Sequence, residues 1–94
     1  MLNEAWELSP SVALRQEPFG ALAYHFGTRK LTFLKKPELV AVVRALADQP
    51  NVHSALVFAR VPPAHHTAYV QALRGLAATD MIRPRNEPQE RVPR

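Results

Sequence analysis

Residues 20–35, GALAYHFGTRKLTFLK, contain two short apolar runs on either side of a basic turn. In both runs the side chains alternate between two faces, which is the pattern of β-strands. The first run places Leu22, Tyr24 and Phe26 on one face, and the second places Leu31 and Phe33 together. The segment therefore predicts a β-hairpin whose aromatic face is buried.

The turn of this hairpin is expected to be tight, with Gly27 supplying the positive φ that such a connection needs. A pairing of Phe26 with Leu31 then places Tyr24 opposite Phe33, so that aromatic and aliphatic side chains meet across the strands. Phe33 is predicted to lie in the core, because it shares a face with Leu31.

A further strand is predicted before the hairpin. In the last strand of the hairpin, the face that does not carry Phe33 is predicted to contact a helix. Val12 and Leu14 alternate with their neighbours between Pro10 and Pro18, and a proline cannot donate to a sheet ladder. Leu34 is expected to pack under the first helix. These segments predict a small antiparallel sheet with one buried face.

Three helices are predicted after the sheet, because the apolar spacing changes from two residues to i, i+3, i+4, i+7. Pro37 and Pro63 suit the first turns of the first and third helices, and Asn51 suits the N-cap of the second. The third helix carries two neighbouring stripes, one of Val70, Leu73 and Ala77 and one of Tyr69, Ala72 and Leu76. Three strands followed by three helices predict an α+β domain.

The composition limits the class of protein. A chain of 94 residues is sized for one domain, and the absence of cysteine excludes a disulfide framework and a thiolate metal site. No apolar run approaches the roughly 20 residues of a membrane span, and the first ten residues lack the pattern of a signal peptide. We expect a cytoplasmic protein.

The net charge of +4 is concentrated at the C-terminal end. Residues 83–94 hold four arginines against two glutamates, are rich in proline and lack an apolar face. Such a composition cannot offset the entropy lost on ordering. The sequence therefore predicts a single domain over residues 1–82 and a disordered tail over residues 83–94.

The segment EPFGALAYHFGTRKL, residues 17–31, resembles the mycofactocin biosynthesis peptide chaperone family, which is related to the pyrroloquinoline quinone biosynthesis chaperones. The likeness extends over about residues 6–82 and is weaker along the third helix. It implies a winged helix-turn-helix fold and a non-catalytic role in recognising a ribosomally made precursor peptide.

The resemblance also implies how the peptide is held. Its leader segment is expected to add as a strand to the edge of the third predicted strand, in a groove against the third helix. The chaperone then presents the peptide to a radical S-adenosylmethionine maturase and carries no cofactor itself. The residues to which peptide binding is thereby assigned are Lys30, Leu31, Thr32, Phe33, Leu34, His65, Tyr69, Ala72, Leu73 and Leu76.

The physical chemistry of the last strand supports this expectation. An edge strand offers unpaired backbone N–H and C=O groups to another chain, and this strand contains no proline before Pro37. Lys30 and Lys35 at its two ends limit self-pairing and would attract an acidic peptide. Strand addition gives affinity through the main chain and specificity through pockets for alternate side chains.

Other functions have less support in the sequence. His65 and His66 diverge by about 100° on a helix and have no further ligand at i+3 or i+4, so no metal site is expected. No nucleophile–base pair or glycine-rich phosphate loop indicates an enzyme. A DNA-binding regulator remains the alternative, with Arg29 and Lys30 as a basic wing. The third helix, however, has no basic residue before Arg74, whereas a DNA reader needs such residues near the start of its recognition helix.

Overall fold

The computed structural model describes residues 1–85, which form five strands, three α-helices and one 3-10 turn. The elements are β1 (Trp6–Leu8), β2 (Val12–Glu17), β3 (Gly20–His25), β4 (Leu31–Leu34), α1 (Pro37–Ala45), α2 (Val52–Phe58), the 3-10 turn (Pro63–His65), α3 (His66–Ala78) and β5 (Ile82–Pro84). Strands β2, β3 and β4 form an antiparallel sheet in that order, and β1 pairs with β5 in a second sheet. The predicted α+β class, with a three-stranded antiparallel sheet and three helices, is confirmed. Within the described residues no helix is long and apolar enough to cross a membrane.

A further strand follows the third helix. Strand β5 follows α3 and pairs antiparallel with β1, with Leu8 opposite Ile82. The Arg85 guanidinium donates hydrogen bonds to the carbonyls of Leu46 and Ala47 at the end of α1, at 3.0 and 2.7 Å. The predicted order of strands followed by helices is therefore not kept, and the predicted boundary after residue 82 falls inside β5. The remainder of the predicted tail, residues 86–94, lies outside the described residues.

The three-stranded sheet turns its small side chains toward the helices. Ala21, Ala23 and His25 on β3 are buried, and α1 packs against this strand. Leu31 and Phe33 are 55% and 58% exposed on the opposite face. The prediction that the aromatic face is buried was wrong, as was the prediction that Phe33 lies in the core. Small side chains allow a helix to approach the sheet closely, so the core forms on the alanine face.

Most other sequence predictions about the core are confirmed. Leu34 is 2% exposed and joins the core with residues of α1, as predicted. The Asn51 side chain accepts a hydrogen bond from the Ser54 amide at 2.8 Å, which caps α2. Pro37 lies at the first position of α1, whereas Pro63 begins the 3-10 turn that leads into α3. The wholly or almost wholly buried apolar residues of the helices and their ends are Val42, Val43, Leu46, Val52, Ala55, Leu56 and Leu73.

The register of the hairpin differs by two residues from the prediction, because the turn is longer. Tyr24 lies opposite Leu31, not Phe33. The Nδ1 atom of His25 accepts hydrogen bonds from the Gly27 and Thr28 amides at 3.0 and 3.1 Å, which wraps the chain around the imidazole. A shift of two residues preserves the face of every side chain, so the predicted face-sharing partners were correct.

The positive φ predicted for Gly27 belongs instead to Arg29, at 64°. Gly27 serves another purpose, since a Cβ atom there would lie 3.0 Å from the His25 ring. Glycine therefore permits the close approach between the turn and the imidazole.

Candidate functional site

Strand β4 has an open edge. The amide of His25 donates to the Lys30 carbonyl at 2.9 Å, which makes this a hydrogen-bonded pair of the antiparallel ladder. Because such pairs alternate along the ladder, Thr32 and Leu34 direct their backbone groups toward β3. The N–H and C=O groups of Leu31 and Phe33 therefore point away from the sheet. Within residues 1–85, β4 pairs with β3 alone.

An independent feature supports this orientation. A Cβ atom built on Gly20, at the start of β3, would lie 2.0 Å from the Leu34 carbonyl oxygen. That carbonyl is therefore directed at β3, as the alternation requires. The open edge consists of the backbone groups of Leu31 and Phe33.

A groove lies between this edge and α3, and we call it the β4–α3 groove. It consists of two adjoining hollows that share Phe33, Leu39 and Ala72. The first has a volume of about 250 Å³ and is lined by Phe33, Lys35, Lys36, Leu39, Ala68, Tyr69 and Ala72. The second is lined by Thr32, Phe33, Leu34, Leu39, Ala72, Gly75, Leu76 and Thr79. The groove thus follows the length of β4, with α3 as its far wall.

The wall on α3 is built largely from small residues. Ala68, Ala72, Gly75 and Thr79 recur at spacings of three and four residues, which places them on one side of the helix. A Cβ atom on Gly75 would meet no other atom within 4 Å, so this position borders open space. Small side chains on this row leave room for the side chains of a bound chain.

Tyr69 and Leu76 lie beside this row, are mostly buried, and anchor the wall in the core. Burial raises the pKa of the Tyr69 phenol above its ordinary value of 10.0, and the Glu38 carboxylate raises it further. The phenol is therefore neutral at physiological pH. The Lys36 ammonium lies 5.8 Å from the centroid of the Tyr69 ring, which places a cation at the mouth of the groove.

Four cations border β4, and none of them is neutralised. Arg29 and Lys30 precede the strand, and Lys35 and Lys36 follow it. Among the described residues, none of the four forms an ion pair. The Glu4, Glu7 and Glu17 carboxylates form ion pairs with partners elsewhere, and the Asp80 carboxylate is hydrogen-bonded to His25. The ends of the open edge therefore favour an acidic ligand.

The structure brings most of the sequence-predicted binding residues together. Thr32, Phe33, Leu34, Tyr69, Ala72 and Leu76 line the groove, Leu31 contributes to the open edge, and Lys30 lies at its end. Leu73 is wholly buried in the core, and His65 lies in the 3-10 turn and lines neither hollow. The side chain of Leu34 is also a core residue, and only its edge reaches the second hollow.

Several groove residues were missed by the sequence analysis. Leu39 begins the apolar stripe of α1, and it is half-buried and lines both hollows. Ala68, Gly75 and Thr79 extend the row of Ala72 by helical spacing, so a search for small residues along that row would have found them. Within residues 1–85, no group of three histidines or carboxylates is placed to hold a metal ion.

Sequence comparisons with known proteins found a matching family model and several relatives. A sequence model of the peptide chaperone MftB family matches residues 5–83. The peptide chaperone MftB of Mycobacterium ulcerans is 51% identical over 87 residues, which cover 93% of this chain and 80% of the relative. The peptide chaperone MftB of Mycobacterium tuberculosis is 51% identical over 83 residues, which cover 88% of this chain and 76% of the relative. No solved structure shows a significant match.

Proposed function

The chain belongs to the peptide chaperone MftB family, and we propose that it binds the leader of a ribosomally made precursor peptide by adding it as a strand to β4. The observation that carries this proposal is the open backbone edge of Leu31 and Phe33 beside the β4–α3 groove. An extended peptide can pair with such an edge and insert alternate side chains into the groove.

The charges at the ends of β4 support the same proposal. Lys30 at one end and Lys35 and Lys36 at the other would attract a leader with acidic residues beside its apolar segment. Charges at the rim of an interface act mainly on the rate of association and on specificity. The main-chain hydrogen bonds and the groove then supply most of the affinity.

The proposal includes a role without catalysis. Pairing with β4 involves only a few residues in the leader of the peptide. The other end of the peptide therefore remains accessible to a modifying enzyme. We propose that this enzyme is a radical S-adenosylmethionine maturase of mycofactocin biosynthesis. The winged helix-turn-helix assignment, with the β3–β4 hairpin as the wing, belongs to the same proposal.

The test titrates a labelled precursor peptide of mycofactocin biosynthesis into the chain at physiological salt. Leu31→Pro and Leu31→Ala form a matched pair, because both shorten the side chain but only proline removes the outward N–H. We expect Leu31→Pro to bind at least about tenfold more weakly than Leu31→Ala, a difference of about 1.4 kcal/mol. Thr32→Pro is unsuitable, since the Thr32 amide belongs to the ladder with β3.

Hydrogen exchange locates the peptide independently. The amides of Leu31 and Phe33 should gain protection on binding, whereas those of α2 should not change. A wild-type chain that shows no saturable peptide binding but binds duplex DNA tightly, with a steep dependence on salt, would instead be a DNA-binding regulator.

A further inference from the structure

The side of the three-stranded sheet that faces away from the helices carries large apolar side chains beside the open edge. Phe19, Phe26, Leu31 and Phe33 are all exposed there, and we call these four residues the outer strip. The ring of Phe19 meets that of Phe33 edge-on, with centroids 5.8 Å apart. Phe26 meets Tyr24 in the same way at 5.2 Å. These contacts hold both ends of the strip in place.

We infer that the outer strip is a second subsite for the leader, so that the peptide is recognised on both faces of the strand that it adds. This inference rests on the proposed function, because it requires the leader to pair with β4. It predicts a leader segment that is apolar at successive positions and carries carboxylates at its ends. If the leader were apolar only at every second position, its apolar side chains would fill the groove, and none would cover the outer strip.

The alternation of side chains in a β-strand carries the inference. In a strand added to β4, the residues opposite Leu31 and Phe33 must direct their side chains to the outer face. The residue opposite Thr32 must direct its side chain to the groove. Directly opposed side chains in adjacent strands have Cβ atoms about 4.5–5.5 Å apart, close enough for Leu31 and Phe33 to pack on the leader. Because successive side chains alternate in every strand, the argument holds for either direction of the peptide.

The exposure of the outer strip is the second support. Soluble monomers rarely expose several large apolar side chains side by side, unless the surface receives a ligand or a partner. Leu31 lies directly on the edge strand and lines neither hollow of the groove. Packing inside the domain and the groove itself therefore both leave Leu31 more than half exposed, whereas an added strand would cover it.

The charges favour a leader over a second copy of this chain. Arg29 and Lys30 lie before β4, and Lys35 and Lys36 follow it. Two copies paired edge to edge along β4 would therefore bring cations against cations at both ends, in either relative direction, and like charges across strands are destabilising. A strand with carboxylates at its ends meets no such repulsion.

The experiment compares variants of the strip with matched controls, using the labelled precursor peptide as the probe. Leu31→Ala alters the strip without the groove and is matched by Val57→Ala, whereas Phe33→Ala alters both surfaces and is matched by Phe58→Ala. The control residues are 56% and 67% exposed on α2, and neither lines the groove. We expect each strip variant to raise the Kd about five- to thirtyfold, the range of an apolar contact at an interface, and each control to change it less than about twofold.

A serine scan of the leader then separates the two faces. In double-mutant cycles, alternate leader positions should couple to Leu31→Ala, and the intervening positions should couple to Leu39→Ala in the groove. A leader whose positions all couple to the groove variant, with none coupled to Leu31, would overturn the second subsite.

The remaining outcomes distinguish the two claims. If the wild-type chain does not bind the peptide, the proposed function fails, and this inference fails with it. If the peptide binds and Leu31→Ala matches its control, only the inference fails, whatever the effect of Phe33→Ala, because Phe33 also lines the groove. If the strip variants change the mass in sedimentation equilibrium and leave the Kd unchanged, the strip joins two copies of the chain, and the inference is again overturned.

Discussion

The two faces of the three-stranded sheet use their apolar residues in opposite ways. The face toward the helices carries Ala21, Ala23, His25 and Leu34, and all four are buried. The face away from the helices carries Leu31, Phe33 and Phe26, and these larger side chains remain more than half exposed. In this sheet the largest apolar side chains therefore lie on the face that the fold leaves open.

This difference teaches how a small domain separates stability from binding. Alanines in β3 are buried and let α1 approach closely, which favours dense packing of the core. The large side chains on the other face contribute little to the core, so they are available to a ligand. Substitutions on the inner face should therefore change the stability of the domain, and those on the outer face should change binding.

The largest expected effect comes from two leucines of β4. Leu34→Ala removes a side chain that is 2% exposed and should lower the free energy of unfolding by about 2–5 kcal/mol. Leu31→Ala, on the outer face of the same strand, should lower it by less than about 1 kcal/mol. Urea denaturation of both variants measures the contrast. Similar losses at the two positions would show that the outer face is also part of the core.

A second contrast uses two alanines on opposite faces. Ala23→Leu inserts three methyl or methylene groups into the packed interface with α1 and should cost about 1–3 kcal/mol. Ala13→Leu places the same side chain on the exposed outer face of β2, opposite Tyr24, and should change stability by no more than about 0.5 kcal/mol. Thermal melts of the pair provide the measurement. A neutral Ala23→Leu would mean that the helices can move away from the sheet.

The elements of the fold could largely be predicted from the sequence, but their faces could not. Alternating and helical periodicities identified β2, β3, β4 and the three helices but not the β1–β5 pair, and Asn51 and Pro37 marked two helix starts. On β3, however, Ala21 and Ala23 alternate with Leu22 and Tyr24, so both faces are apolar. Periodicity without a change in polarity cannot say which face meets the helices. The larger side chains of Leu22 and Tyr24 led to the wrong prediction of which face is buried.

The features that were missed depend on contacts between distant residues. Strand β5 has three residues and pairs with β1 more than seventy positions earlier, so no local pattern indicates it. The hairpin register depends on the hydrogen bonds of the His25 side chain to its own turn. In the site, the open edge could be predicted because the strand contains no proline. The position of Leu39 at the groove could not be predicted, because it depends on the packing of α1 against β4.

His25 provides the third prediction, because it joins the inner face to the turn that precedes β4. Its Nδ1 atom accepts two amide hydrogen bonds, so the ring proton lies on Nε2 and is donated to the Asp80 carboxylate at 3.0 Å. His25→Ala removes all three contacts and should cost about 1–2 kcal/mol, since the exposed turn amides can bond to water.

The control for His25 is a variant that keeps the acceptor. The Oδ1 atom of Asn can take the place of Nδ1, so His25→Asn should recover about half of the loss and keep the Gly27 and Thr28 amides protected from exchange. Equal stability and equal exchange in the two variants would show that the amide contacts do not hold the turn.

The smallest expected effect separates the two tyrosines of the chain, Tyr24 on the outer face and Tyr69 on the helix side. The pKa of Tyr69 is raised by burial and, secondarily, by Glu38, so the folded state prefers the neutral phenol. The contribution of Tyr69 to stability should therefore be fully present below the unfolded pKa of about 10 and decline as the pH rises through the folded value.

Comparing Tyr24→Phe with the double variant Tyr24→Phe, Tyr69→Phe isolates this single phenol, because other alkaline effects cancel in the difference. The difference in unfolding free energy should be constant below about pH 10 and shrink above it, and the absorbance at about 295 nm should show a titration displaced to high pH. Glu38→Gln should reduce that displacement only slightly, since burial is the larger cause. A difference that stays flat across the alkaline range would show that the Tyr69 phenol is as accessible to water as an outer-face side chain.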